Sequence, residues 1–436
     1  MLGTAACVRA LALSLALPSL VYAGLIPDLH DHAHAHPSRT IAHRAPGQDW
    51  YHPPHHPVHR LFRRDDNSTG DYPALGSPAW SAPYPTTTPD SSKLPQEWVD
   101  ALNQAVQAGK IPNIPVSTQT NGGNPTYPNG YDPNGPTVCS ATYKCRNPDD
   151  IWDAPEGMVG SGFDDGPTEF SPTLYTFLKN NSVKATHFMI GINILWNPAA
   201  FEQAYVDNGD DIAVHTYTHP YMTTLSNLDV LAQLGWTMQI IHNSTAGKVP
   251  RYWRPPYGDM DERVRAIALE VFGLTAIIWN QDTEDWSLTE NGGTTMQAVA
   301  QNMQKWLTGA KTPGLIILEH ELSAESVQAY MDAYPVMMQN GWQLKSVAEF
   351  GDDDAMRDGD LLDLFDTTSS AAPSSTSASS TSASATHSGT TSSSGPVATG
   401  GVGTSQQSSA TLQWSSRSAW AASALVGAAG LFVHLA

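Results

Sequence analysis

Basic residues are scarce in this chain: 22 Lys and Arg face 42 Asp and Glu across 436 residues, a formal charge of −20. That balance excludes nucleic acid as a partner; acidity of this size keeps an extracellular protein soluble. Cysteine is scarcer still. Of the three cysteines, Cys7 lies in a leader-like start, so only Cys139 and Cys145 remain to close one small disulfide loop in an oxidising compartment. No unit of about 20–50 residues repeats, which excludes a solenoid or a propeller. The longest mostly apolar runs lie near the two ends.

Residues 1–23 combine Arg9, an apolar run from Leu11 to Leu20 and the small-residue ending Val21-Tyr22-Ala23. They are expected to be a secretory signal peptide. Residues 411–436 end in an apolar stretch, Ala419 to Ala436, downstream of the small residues Ser408-Ser409-Ala410. That layout predicts a GPI-anchor signal with attachment at Ser408. A single transmembrane helix is the rival, but Gly427, Gly430 and His434 interrupt the run and no basic residue follows it.

Residues 24–64 are rich in His and Pro, hold nine of the sixteen histidines and end at Arg63-Arg64. Without apolar periodicity they read as a disordered propeptide. Residues 65–153 are dense in Pro and Gly, with one helical piece, Gln96 to Gln107, marked by Trp98, Leu102 and Val106. This segment is expected to wrap a core formed by residues 154–350. An acidic linker, 351–366, and a Ser/Thr-rich stalk, 367–410, follow. Asn67, Asn180 and Asn243 head N-glycosylation sequons.

Within 154–350 short apolar runs alternate with longer amphipathic stretches, the signature of βα units around a parallel sheet or barrel. Strands are expected at Met158–Phe163, Ala185–Ile190, Asp211–Val214, Tyr252–Arg254, Thr275–Trp279 and Leu315–Leu318. The clearest helix opens at Ser226, with Asp229 completing a capping box and Leu228, Leu231, Leu234, Met238 and Ile241 along one face.

Five polar segments fall within this pattern, most of them directly after an apolar strand. They are Gly162-Phe163-Asp164-Asp165-Gly166-Pro167, His215-Thr216-Tyr217-Thr218-His219, Arg254-Pro255-Pro256-Tyr257-Gly258, Asp282-Thr283-Glu284-Asp285-Trp286 and Ile316-Ile317-Leu318-Glu319-His320. The C-terminal ends of parallel strands gather distant residues into one crevice. Two imidazoles four apart can grip one metal ion if they share a helical turn. No Glu follows His215, so the zinc-protease pattern is excluded.

In this order the five segments resemble the motifs of the family 4 carbohydrate esterases, the NodB-like polysaccharide deacetylases. The leader, stalk and tail most resemble the GPI-anchored chitin deacetylases of fungi. The resemblance implies a distorted (β/α) barrel and hydrolysis of N-acetyl groups of chitin, polymer or oligomers, at the cell wall and plasma membrane. It also implies one divalent cation, zinc or cobalt, on Asp165, His215 and His219, with Asp164 as base and Arg254 aiming it. The Tyr257 N–H would stabilise the oxyanion, His320 would be the acid with Asp285 orienting it, and Tyr257, Trp286 and Leu318 would bind substrate. Glu319 receives no role, and Thr216 is expected to brace its loop. Trp152, Trp196 and Trp253 are expected in the core, with stacking on sugar rings the alternative for any that is exposed. Two positions depart from the family pattern: Gly162 stands for Thr or Ser, which is expected to loosen the strand end, and Ile316 stands for Leu. Peptidoglycan or acetylxylan are alternative substrates. A wall protein that binds glycan without turnover is the alternative from another class.

Overall fold

The structure, a computed structural model, describes residues 50–62, 72–120 and 122–350. The leader, most of the His/Pro-rich stretch, Asn67, the acidic linker, the stalk and the tail with Ser408 lie outside them. Among the described residues no helix is long and apolar enough to cross a membrane.

Among the described residues two α-helices precede the barrel, α1 (Pro78–Ser81) and α2 (Gln96–Gln107). Then follow β1 (Met158–Gly166), α3 (Ser171–Asn180), β2 (Thr186–Met189), α4 (Gly191–Trp196), α5 (Pro198–Glu202), β3 (Asp211–Val214) and α6 (Asn227–Ser244). The second half comprises β4 (Tyr252–Trp253), α7 (Glu262–Phe272), β5 (Thr275–Ala276), β6 (Gln281–Asp282), α8 (Met296–Leu307), β7 (Leu315–Leu318), α9 (Ala324–Gln339) and β8 (Gln343–Ser346).

The strands lie in the order β5-β4-β3-β2-β1-β7-β6, with β8 pairing β1, and every ladder is parallel. Sheet ends β5 and β6 are neighbours in the chain, so one extended segment bonds to β4 at its start and to β7 at its finish. Between them Ile278 N donates to Ile151 O at 2.8 Å and Asn280 N to Ile316 O at 2.9 Å. The chain itself thus closes the ring, giving the expected distorted barrel. Strands β6 and β8 were absent from the sequence-based expectation, and β5 keeps two of the five residues expected of it.

Short side chains allow the barrel wall to pack tightly at β1. A Cβ on Gly160 would stand 2.4 Å from Val347 Cγ1, and one on Gly162 would stand 3.2 Å from Val347 Cγ2 and 3.3 Å from Phe188 Cε2. Gly162 therefore marks close approach of neighbours, not the loosened strand end expected of it. Helix α6 begins at its expected cap, Ser226 Oγ accepting from Asp229 N at 3.2 Å, but the Asp229 carboxylate takes the Ser226 hydroxyl and not its N–H, so the expected capping box is only half formed. The helix is buried nearly all round, although Leu228 stands 39% exposed.

The reading of residues 24–64 as disordered needs correction for 50–62. His52 N donates to Val249 O at 2.8 Å, and Pro57–Phe62 form a 3₁₀ helix whose Val58 and Phe62 are fully buried. Phe62 lies 5.8 Å from the Trp98 ring and 6.0 Å from Phe272, and Trp98 Nε1 donates to Leu61 O at 2.8 Å. Four-residue spacing along α2 does not capture its buried face, which is Trp98, Ala101, Leu102 and Ala105, while Val106 is exposed. Cys139 and Cys145 are bonded, with Cα atoms 5.1 Å apart; inside their loop Ala141 N donates to Met260 O at 2.8 Å. Asn180 is exposed. Asn243 is half-buried and its amide nitrogen donates to the Tyr84 hydroxyl at 2.8 Å, which makes it the more encumbered sequon.

Candidate active site

Strand β1 delivers two adjacent carboxylates. Regular strand alternation would send neighbours to opposite faces, but the β1–β2 register slips between Asp164 and Gly166, and Asp165 takes a φ of 70°. The irregularity turns both carboxylates to one site. Buried Asp164 receives Arg254 Nη1 at 2.6 Å, while Arg254 Nε is spent on Ile277 O at 3.1 Å. Asn193 Nδ2 holds the Asp165 carbonyl at 2.8 Å.

The second segment brings its histidines together by a route the spacing did not foretell. His215 to His219 form a loop, not a helical turn, with Thr216 and His219 at φ 64° and 59°. Gln233 of α6 ties the loop, its Oε1 accepting from Tyr217 N and Thr218 N, each at 2.9 Å. Thr216 Oγ1 accepts from His219 N at 3.1 Å, the bracing role expected of it. Gln233 and Asn193 escaped the sequence reading. A lone amide within the apolar run Val230-Leu231-Ala232-Gln233-Leu234 was the available signal for the first.

Asp165 Oδ1 lies 3.3 Å from His215 Nε2 and 3.2 Å from His219 Nε2. His215 Nδ1 is 2.7 Å from the Arg254 carbonyl, which can only accept, so Nδ1 donates to it and Nε2 is the atom turned to the site. Buried Asp165 Oδ1 makes no hydrogen bond. Burial would raise the Asp165 pKa, but His219, His215 and His320 outweigh it and hold the carboxyl well below its usual range. Burial brings His219 down to about 4 against the pull of Asp165. The carboxylate oxygen and the two imidazole nitrogens, all within 4.8 Å of one another, are the kind of donor set that holds a divalent cation once deprotonated.

Across the site, His320 Nδ1 meets Asp285 Oδ1 at 2.7 Å and its backbone N–H donates to Asp285 Oδ2 at 2.8 Å. Burial would lower the imidazole pKa, but Asp285, joined by Asp165 and Asp164, raises it to about 10. Thr283 Oγ1 donates to Leu318 O at 2.9 Å and accepts from Asp285 N at 3.2 Å, binding the fourth and fifth segments into one unit. Leu318 is buried at the end of β7, and Trp286 stands 42% exposed on the following rim. Tyr257, at φ 59°, lies edge-on to His219 at 4.6 Å and stacks on Tyr221 at 4.0 Å. Buried Glu319 contributes its carbonyl, which accepts from Asp164 N at 3.0 Å. Trp152 and Trp253 are core residues as expected, but Trp196 is 58% exposed at the end of α4, where no core position is available to it.

All five segments therefore meet at the C-terminal ends of the strands. Residues 153–277 match the sequence model of the family described as polysaccharide deacetylase. Chitin deacetylase 3 of Cryptococcus neoformans var. neoformans serotype D is 42% identical over 308 residues, which span 69% of this chain and 72% of that protein. The chitin deacetylase of Amylomyces rouxii is 36% identical over 273 residues, 58% of this chain and 63% of that one. The solved chitin deacetylase of Colletotrichum lindemuthianum is similar at 27% identity with a TM-score of 0.42, covering 48% of this chain and 92% of that one. Identity of 42% sustained along most of a relative's length, together with the match to the family model, establishes that the chain belongs to the polysaccharide deacetylases, the family 4 carbohydrate esterases.

Proposed function

We propose that the protein removes acetyl groups from the N-acetylglucosamine residues of chitin, leaving chitosan and acetate. The observation that carries this reading is the convergence of Asp165, His215 and His219 beside an Asp164 held by Arg254. Chitin is the substrate named by relatives at 42% and 36% identity.

Asp165, His215 and His219 would hold one divalent cation, zinc or cobalt, and the chemistry it would supply there is Lewis acidity and a more acidic water. Asp164 takes the proton of the attacking water. Its Oδ1 is engaged by Arg254 and its Oδ2 lies 3.8 Å from His215 Nε2, so the basic oxygen faces the metal ligands. As the carbonyl becomes tetrahedral its oxygen gains charge, and the backbone N–H of Tyr257 is the donor assigned to it, a contribution of about 3 kcal/mol. The carbon–nitrogen bond breaks once the nitrogen is protonated. His320 gives that proton from Nε2, because Nδ1 is committed to Asp285. Leu318 and Trp286 receive the acetyl methyl.

The same reading assigns residues 1–23 to a signal peptide, 367–410 to a stalk and 411–436 to a GPI-anchor signal acting at Ser408; it does not include removal of 24–64 as a pro-segment, which would take Val58 and Phe62 out of the core. The enzyme would then work at the outer face of the plasma membrane and in the cell wall. The test is acetate release by the secreted protein from chitin oligomers, acetylxylan and peptidoglycan, with zinc or cobalt supplied. Release from chitin oligomers, abolished by a chelator and in Asp164→Asn, is expected. Stoichiometric metal binding without acetate from any substrate would replace the enzyme with a glycan-binding protein of the wall.

A further inference from the structure

Behind the catalytic turn lies a set of buried charges that the mechanism above does not use. Glu321, one residue beyond His320, is fully buried, and it grips the Asp164–Thr168 turn at three points. Its N–H donates to Asp164 O at 3.1 Å, and its carbonyl accepts from Thr168 Oγ1 at 2.6 Å. Its side chain runs beneath Gly166 so closely that a Cβ there would stand 2.0 Å from Oε1. The carboxylate then ends on His187 Nδ1 at 3.1 Å, and the other ring nitrogen of His187 lies 3.4 Å from Asp210 Oδ2.

His187 is on β2, in register with Phe163 of β1 and stacked on it at 5.8 Å. Burial would lower its pKa, yet Glu321 and Asp210 raise it to about 10, so the ring is a cation between two carboxyl groups. A buried ion cluster is a poor source of stability, since apolar residues of similar volume often hold a core as well or better. What it does supply is direction: one rotamer of Glu321 satisfies His187 while passing under Gly166.

We propose that Glu321, aimed by His187, is a positioning residue that holds the Asp164–Thr168 turn and His320 in one fixed frame. Base, cation ligand and acid come from two separate strand ends, and Glu321 touches both. Its backbone continues from His320, and its side chain supports the turn that carries Asp165. Loss of its direction would let the carboxylates drift relative to His320 without removing any reacting group. Misplacement by about 1 Å costs on the order of a hundredfold in rate.

The catalytic part of this inference rests on the deacetylase reading, so the experiment pairs turnover with metal affinity. Glu321→Gln, His187→Gln and the double variant are made in the whole secreted protein. Zinc affinity is measured by competition with a chromogenic chelator, kcat and KM on chitin oligomers, and the folded fraction by thermal melting. Each single variant is expected to lose about 10–100-fold in zinc affinity and in kcat per folded molecule, with KM nearly unchanged. The double variant, which restores a neutral amide–amide contact, is expected to cost no more than the worse single one, because the two residues act as a unit. A purely structural role would lower the melting temperature and leave kcat and zinc affinity of the folded molecules at wild-type values; that result in any folded variant overturns the proposal. If one single variant does not fold, the other and the double variant decide. Should wild type bind zinc yet release no acetate, the deacetylase reading fails, and the zinc titration alone judges the positioning role.

Discussion

At the scale of single residues, the charge on His320 depends on Asp285. Burial opposes an imidazolium there, and the Asp285 carboxylate, 2.7 Å from Nδ1, is what raises the pKa to about 10. Bound cation would share the Asp164 and Asp165 charges and bring that value down, but the contribution of Asp285 keeps its sign. Asp285→Asn is therefore expected to move the alkaline limb of the kcat/KM profile to lower pH by about 1–3 units, because the acid loses its proton earlier. A limb that stays in place would mean that another group donates the proton. Most of the reacting residues were legible as candidates because they follow apolar runs, and their roles were read from the resemblance of the five segments to the deacetylase motifs. Their supports were not: Gln233 and Asn193 act through loops whose path depends on backbone at positive φ, and Glu321 looks in sequence like one more acid in an acidic chain.

At the scale of elements, the histidine spacing illustrates how a correct pairing can have a different cause. A four-residue separation suits a helix, yet the imidazoles meet because Thr216 and His219 adopt left-handed backbone and Gln233 gathers the two intervening amides. The same caution applies to residues 50–62, whose His and Pro content masks Val58 and Phe62 as core residues. Phe62→Ala is expected to destabilise the fold by about 3–5 kcal/mol, read as a lowered denaturant midpoint, with kcat per folded molecule unchanged. An unaltered midpoint would show that the segment is dispensable. Strands β6 and β8 escaped notice because Gln281–Asp282 and Gln343–Ser346 are short and mostly polar; backbone pairing alone makes them strands.

At the scale of the whole molecule, buried titratable groups set the direction of the pH response. His187 has a folded pKa of about 10 against 6.5 for an exposed histidine, so its stabilising contribution is complete below 6.5 and is lost as pH rises through 10. Burial also pushes Asp211 and Glu319 well above the ordinary carboxyl range, and groups raised in this way likewise favour the fold less as pH climbs. Thermal melts with chelator present, which removes any contribution from metal binding, are expected to show a melting temperature that falls between about pH 6.5 and about pH 10, less steeply in His187→Gln. A flat or rising curve would contradict that assignment of charge. Alternation of strand and helix made a parallel sheet or barrel readable, and the choice of a barrel came from the family resemblance, because closure depends on a stretch too irregular to read as one strand. That stretch joins β5 to β6, and it lies between Arg254 and Asp285 in the chain. The cylinder is thus sealed by covalent bonds at this seam, where elsewhere it is zipped by ladders. A nick between Ile277 and Asn280 would leave the oxyanion and base-aiming segments on one fragment and the proton-donating segments on the other, with only noncovalent contacts to keep the two halves in register.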